Sequence, residues 1–185
     1  MSRFSMDQFV FIDESAVDSR TTDRKSGWAL RGQRTRTKTL FVRKQRFTVT
    51  PVMSCEGVLD WQIIEGPASV EDMLVFAEEC LVPHLRPYPE PCSVVVLDNC
   101  QIHKDEEFKQ LITDAGAIVM FLPPYSPDFN PIEKLFSQMK AFLMREQIWV
   151  GQVSPYKAID EALRHVSPAN CANYIASCGD MYQGD

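Results

Sequence analysis

The stretch from Ser93 to Leu122 limits the possible folds of this chain more than any other. Two continuous apolar runs, Ser93–Leu97 and Ala117–Leu122, bracket a helical segment, Lys104–Ala115, that Gly116 closes. Apolar runs this short, without polar alternation, read as strands buried on both faces. Two such strands joined through a helix lie parallel or nearly so. The chain is therefore expected to build a sheet with helices packed on it.

The remaining elements fit around that unit. Gln8–Ile12 reads as a short buried strand, and Ser15–Ser26 as a polar loop. Gly27–Arg31 and Thr39–Val42 are candidate strands. Arg46–Met53 alternates like a strand, and Val58–Ile64 returns as its hairpin partner across a Cys55-Glu56-Gly57 turn. Ser69 is a candidate N-cap for a helix over Val70–Leu81, with Val70, Leu74, Ala77 and Leu81 as its apolar face. Pro83, Pro87, Pro89 and Pro91 mark a stiff loop, and Pro123–Pro131 another. Ile132–Glu146 is a long helix, followed by weaker helices at Pro155–Val166 and Pro168–Ser177. Three early strands form a meander and two later ones are joined through helices. The fold class is α/β, a mixed five-stranded sheet flanked by helices, and the pattern alone leaves other α/β layouts open.

Composition restricts the function classes. A chain of 185 residues, 45% hydrophobic and 24% charged, fits one globular domain with a real core. No apolar run approaches the roughly 18 residues of a membrane span, and Met1–Asp7 has no signal-peptide apolar region. No membrane role is expected, and the location is expected to be intracellular: nuclear in a eukaryote, cytoplasmic in a bacterium. Six cysteines without C-x-x-C or zinc spacing read as free thiols. Cys100 reads as a packing residue, since hard cations prefer oxygen. The net charge of −6 is unevenly spread. Residues 1–60 carry 11 Lys/Arg against 7 Asp/Glu, whereas residues 61–185 carry 8 against 18. Arg31, Arg34, Arg36, Lys38, Arg43, Lys44 and Arg46 fall in one stretch with no acid. Such a stripe suits a polyanion such as DNA, though a solvated hairpin face has the same composition.

Three acidic residues stand in positions suited to chemistry. Asp13 ends the run Phe9–Ile12, Asp98 ends Val94–Leu97, and Glu133 lies at the start of the long helix. Strand ends are where open α/β sheets bind ligands. Three carboxylates brought to one sheet edge can hold two divalent metals about 3.5–4 Å apart, a centre for phosphodiester chemistry. Each residue also has a plainer reading. An aspartate after a strand is often a turn former. Asn130, Pro131 and Glu133 match the N-cap, first and third positions of a capping box. His103 is either a contact near Asp98 or a helix-start histidine with a local hydrogen bond. Trp28 on its own is more commonly a core residue.

The run Phe121-Leu-Pro-Pro-Tyr-Ser-Pro-Asp-Phe-Asn-Pro-Ile-Glu-Lys-Leu-Phe136 closely resembles the signature of DDE transposases of the mariner superfamily and their bacterial insertion-sequence relatives. Phe11-Ile-Asp-Glu-Ser15, Gly27-Trp-Ala-Leu-Arg-Gly32 and Val96-Leu-Asp-Asn-Cys-Gln-Ile-His103 agree with it, as does the spacing of 34 residues between Asp98 and Glu133. Leu30 stands where relatives often carry proline. The resemblance covers about residues 8–150. It implies an RNase H-like catalytic domain over 1–150, with 151–185 as a C-terminal helical extension of that domain. It implies Asp13, Asp98 and Glu133 as catalytic and metal-binding residues, two Mg²⁺ ions that Mn²⁺ can replace, and the basic stripe on DNA. Implied partners are double-stranded DNA, at transposon ends and at the target, and a second copy of the chain in a homodimer. Relatives carry helix-turn-helix domains before the catalytic domain, and this chain begins shortly before the first strand. The alternative is therefore a domesticated or truncated transposase-derived module that binds DNA without catalysis. An RNase H-type nuclease on RNA hybrids is a third reading, which the transposase signature loop disfavours.

Overall fold

The computed structural model describes residues 4–18, 30–32, 45–124, 126–145 and 154–178. Its strands are β1 (Phe9–Ile12), β2 (Ser15–Asp18), β3 (Arg46–Ser54), β4 (Gly57–Glu65), β5 (Val94–Leu97) and β6 (Ile118–Phe121). Its α-helices are α1 (Val70–Phe76), α2 (Glu106–Asp114), α3 (Ile132–Arg145), α4 (Pro155–Arg164) and α5 (Pro168–Ala176). All six described strands belong to one mixed sheet. β1, β5 and β6 run parallel, while β3 is antiparallel to β1, β2 and β4. The parallel β5–α2–β6 unit is as the apolar runs require.

The sixth strand corrects the five-stranded expectation. Ser15–Asp18, expected to be loop, pairs with Arg46–Val49 of β3. Ser15 and Val17 are buried while Ala16 is exposed, a two-residue alternation too short and too polar to stand out in sequence. β2 keeps the register of β1. Phe11 and Ile12 face Met53 and Val52, and Ser15 faces Val49, so Asp13 and Glu14 stand opposite Pro51 and Thr50. β4 occupies the other edge of β3 along its length. Thus β1 and β2 are one strand line with two missing rungs, and Pro51 has no N–H to give the ladder there. Of Gly27–Arg31, the described residues Leu30 and Arg31 are exposed and lead into a turn rather than a strand. Thr39–Val42 and Trp28 lie outside the described residues.

Alternation along the central strands sorts two cores. Phe9 and Phe11 of β1, and Val94 and Val96 of β5, pack with α3, α4 and α5 through Leu135, Met139, Leu143, Ile159 and Ile175. Val10, Ile12, Val95 and Leu97 pack on the other face with Met73 and Phe76 of α1, and Phe108 and Ile112 of α2. At about 25 cal/mol per Å² of buried apolar surface, both layers contribute substantially to stability.

The helices start where capping residues allow. Ser69 accepts from Asp72 N–H, and the Asp72 carboxylate accepts from Ser69 N–H at 2.8 Å. Asp105 caps α2 through Glu107 and Phe108 N–H, so the helix starts at Glu106, two residues past the expected Lys104. α1 buries Met73 and Phe76 with the expected Ala77 and Leu81, while Leu74 is half-buried against the same core. Val70 is 38% exposed. The chain widens into a π turn at Ala77–Leu81. Gly116 follows α2 at φ +79°, and a Cβ there would come within 2.9 Å of Pro87. Only glycine suits both demands. No helix among the described residues is long and apolar enough to cross a membrane.

Candidate active site

The register that builds the sheet also builds the site. Phe9, Val10 and Phe11 of β1 pair with Val94, Val95 and Val96 of β5. One offset runs through all three pairs, and continuing it by two residues sets Asp13 beside Asp98. Both aspartates follow the parity of Phe9, Phe11, Val94 and Val96, which puts them on the face covered by α3. α3 carries Glu133 in its first turn. All three acids line one cavity of about 580 Å³, together with Lys104, Asn130 and the Leu122–Pro124 segment.

The two aspartates are held differently. Asp13 Oδ1 accepts from Glu14 N–H at 2.7 Å, and Asp13 Oδ2 accepts from the Asn130 amide at 2.8 Å. Burial, and then the negative charge of Asp98, lift the Asp13 pKa to about 7. Asp98 Oδ1 accepts from Cys100 N–H at 2.8 Å and lies 2.7 Å from His103 Nδ1. The hydrogen bond from His103 is the main reason Asp98 falls below the usual carboxylate range. His103 is fully buried, stacks on Phe108, and places Nε2 3.0 Å from Glu14 Oε1. Burial alone would lower its pKa, but the hydrogen bonds to Asp98 and Glu14 raise it to about 10.

Glu133 is exposed on the cavity wall. Among the described residues, no three His, Cys, Asp or Glu side chains close into a cluster that could hold a metal. The donor chemistry nevertheless fits a hard divalent cation, since all three acids offer carboxylate oxygens. Burial, and beside it the charge of Asp98, disfavours a bare Asp13 carboxylate, which a cation in the cavity would offset.

Several residues took roles the sequence did not suggest. Asn130 was read as a helix cap, and its amide nitrogen goes to Asp13, 117 positions away. Glu14 follows Asp13 without any motif of its own, yet it contacts His103. Lys104 is an exposed cation on the cavity wall. Cys100, expected to pack, is exposed there. Of the basic stripe, Arg31 and Arg46 are described and exposed. Arg46 lies at the site's end of β3, five residues along from Pro51, or roughly 17 Å. Arg34, Arg36, Lys38, Arg43 and Lys44 lie outside the described residues.

The sequence profile of the DDE superfamily endonucleases matches residues 8–150. The chain belongs to that family. This DDE superfamily endonuclease domain also shares its fold with mariner transposases. It superposes on a protein of a pre-cleavage Mos1 transpososome with a TM-score of 0.68 at 16% identity, covering 96% of this chain and 58% of that one. A Mos1 mariner paired-end complex with Mn gives 0.65 at 14% identity, covering 96% and 57%. The Mos1 transposase catalytic domain with Raltegravir and Mg gives 0.57 at 12% identity, covering 96% and 87%. At these identities the likeness establishes the RNase H-like fold. The chain spans less than two thirds of the transpososome proteins it matches and most of the isolated catalytic domain. No curated protein sequence matches the chain significantly.

Proposed function

We propose that this domain cleaves and transfers DNA phosphodiester bonds with divalent metal, using Asp13, Asp98 and Glu133, as the catalytic part of a transposase. The observation that carries the reading is the pair of in-register aspartates at the tips of neighbouring parallel strands, with Glu133 of α3 on the wall of the same cavity. Two Mg²⁺ or Mn²⁺ ions, when bound, would activate the attacking water or 3′-hydroxyl and stabilise the leaving oxygen.

The protein's own groups have separable roles. Asp13 and Asp98 supply ligand oxygens from a rigid sheet edge. Glu133 supplies a third from a helix that Asn130 ties to Asp13. The exposed Lys104 is placed to attract a phosphate of the substrate. Arg31, Arg46 and the other basic residues of the stripe would bind the DNA backbone without reading bases. His103 is not available as a general base, because carboxylates occupy both of its ring nitrogens. Carboxylates that hold metal make such a base unnecessary. Action at transposon ends and on target DNA belongs to the whole protein and is part of this proposal.

The test is a nicking assay on supercoiled DNA with Mg²⁺ or Mn²⁺, with Asp98→Asn as control. Metal-dependent nicking that Asp98→Asn abolishes supports the reading. DNA binding without nicking by the wild-type chain, in either metal, would favour the non-catalytic module instead.

A further inference from the structure

His103 has a placement that neither the core nor the metal chemistry by itself requires. It is a fully buried polar side chain, reached by residues 5 and 89 positions away. Its ring stacks on Phe108 among the residues of the α1–α2 side, while Nδ1 reaches around the end of β5 to Asp98. Nε2 meets Glu14, directly after Asp13 in the break between β1 and β2. The imidazole therefore spans both strand tips. Two carboxylate acceptors call for two N–H donors, which only the imidazolium offers. A charge-assisted contact of this kind is short and directional, and 2.7 Å to Asp98 is in that range.

Asp98 Oδ1 already accepts from Cys100 N–H. With His103 added, that oxygen has two protein donors, and the carboxylate plane is fixed. The other oxygen, Oδ2, is then the one left for a cation in the cavity. Metal ligands are commonly aimed by such outer partners, and losing one typically costs about 10–100-fold in metal affinity.

The geometry points to His103 as the positioning residue that aims Asp98 Oδ2 into the cavity, while its contact with Glu14 ties the tip of β5 to the β1–β2 break. This rests on the proposed metal-binding role of Asp98. His103 is a positioning residue here, since it acts through Asp98 and Glu14.

Two substitutions separate positioning from packing. In His103→Asn the amide nitrogen stands near the former Nδ1 and can still donate to Asp98. In His103→Gln it stands near the former Nε2 and reaches Glu14 instead. Both variants remove the ring from Phe108, so both should lower the metal-free melting temperature to a similar extent. Mn²⁺ affinity of the whole chain, measured by calorimetry, should split them. His103→Asn should stay within about 3-fold of wild type, while His103→Gln should weaken by about 10-fold or more. Equal weakening in both, or none in either, would overturn the positioning role. If neither variant folds, the wild-type chain provides the test through histidine ring resonances during a Mg²⁺ titration. The His103 signals should shift in step with metal saturation. Signals that stay fixed while Mg²⁺ raises the melting temperature would overturn the proposal. A wild-type chain that binds no Mn²⁺ would instead remove the metal site itself, and with it this role.

Discussion

The tips of β1 and β5 are equivalent in register and opposite in electrostatics. Asp13 and Asp98 end neighbouring parallel strands on one face of one sheet. Asp13 is the more enclosed, beside a neutral amide, and its pKa rises to about 7. Asp98 is half-exposed beside His103, and its pKa falls. Sheet register thus decides where the carboxylates stand, and the neighbouring side chains decide how each is charged. Among the described residues, Asp98 has a cationic partner in direct contact, His103. Asp13 lacks one, and a metal ion would supply it.

The largest expected effect makes the two tips alike. Asp13→Asn and Asp98→Asn should each reduce metal-dependent nicking on the order of 10³-fold, the scale of losing several kcal/mol of metal-supplied stabilisation. Retention of activity in one of the two would break the equivalence. Binding should respond elsewhere. Replacing Arg34, Arg36 and Arg43 together by alanine should weaken binding to two unrelated duplexes by a similar factor. It should also flatten the log K against log salt slope by up to about 3. The stabilisation by Mg²⁺ should survive in that triple variant, since arginines are not ligands. A strong preference for one duplex would mean that base readout, not phosphate contact, carries the binding.

Acidity sharpens the contrast between the tips. A raised folded-state pKa means that the folded protein binds the Asp13 proton more tightly than the unfolded chain does. That contribution to stability is present below about pH 4 and is lost as pH rises through about 7. Asp98 has the opposite sign. Its lowered pKa stabilises the fold above the ordinary carboxylate range and is lost as pH falls through its folded-state value. In EDTA, Asp13→Asn should therefore gain melting temperature relative to wild type between pH 5 and pH 8. Asp98→Asn should be less stable than wild type at both, with the gap closing at low pH. Identical pH profiles would contradict the assignment of different environments. Saturating Mg²⁺ should raise the wild-type melting temperature by several degrees at pH 8, from about 1.4 kcal/mol at ten times Kd and about 2–4 °C per kcal/mol. A further effect concerns Asn130. Asn130→Ala removes a hydrogen bond to a carboxylate, worth about 1.5–3 kcal/mol. It should lower stability by that order, whereas Asn130→Asp should lower it further in EDTA by adding a like charge beside Asp13, a loss that Mg²⁺ should partly restore.

Much of this was legible in the chain. Continuous apolar runs ending at Asp13 and Asp98 mark central strands, and the helix between β5 and β6 dictates parallel pairing. What was missed has identifiable causes. Ser15–Asp18 pairs because β3 continues past Pro51 in the same register, which a four-residue polar alternation does not announce. Val70, Met73, Leu74, Val75 and Phe76 crowd the first turns of α1, and period alone does not select Met73 and Phe76 over Val70. The partnerships of His103 with Glu14 and of Asn130 with Asp13 join residues 89 and 117 positions apart, and local pattern carries no trace of them. The common offset that aligns Asp13 with Asp98 likewise emerges only when the strands pair.

The central claim is that these two strand tips and Glu133 together form one cation site. A crystal soaked in Mn²⁺, with anomalous scattering used to locate the ions, tests it most directly. The account predicts manganese in the cavity touching both Asp13 and Asp98, with the Glu133 side chain turned inward to join them. Manganese bound elsewhere, or a cavity still empty at concentrations that support nicking, would contradict it.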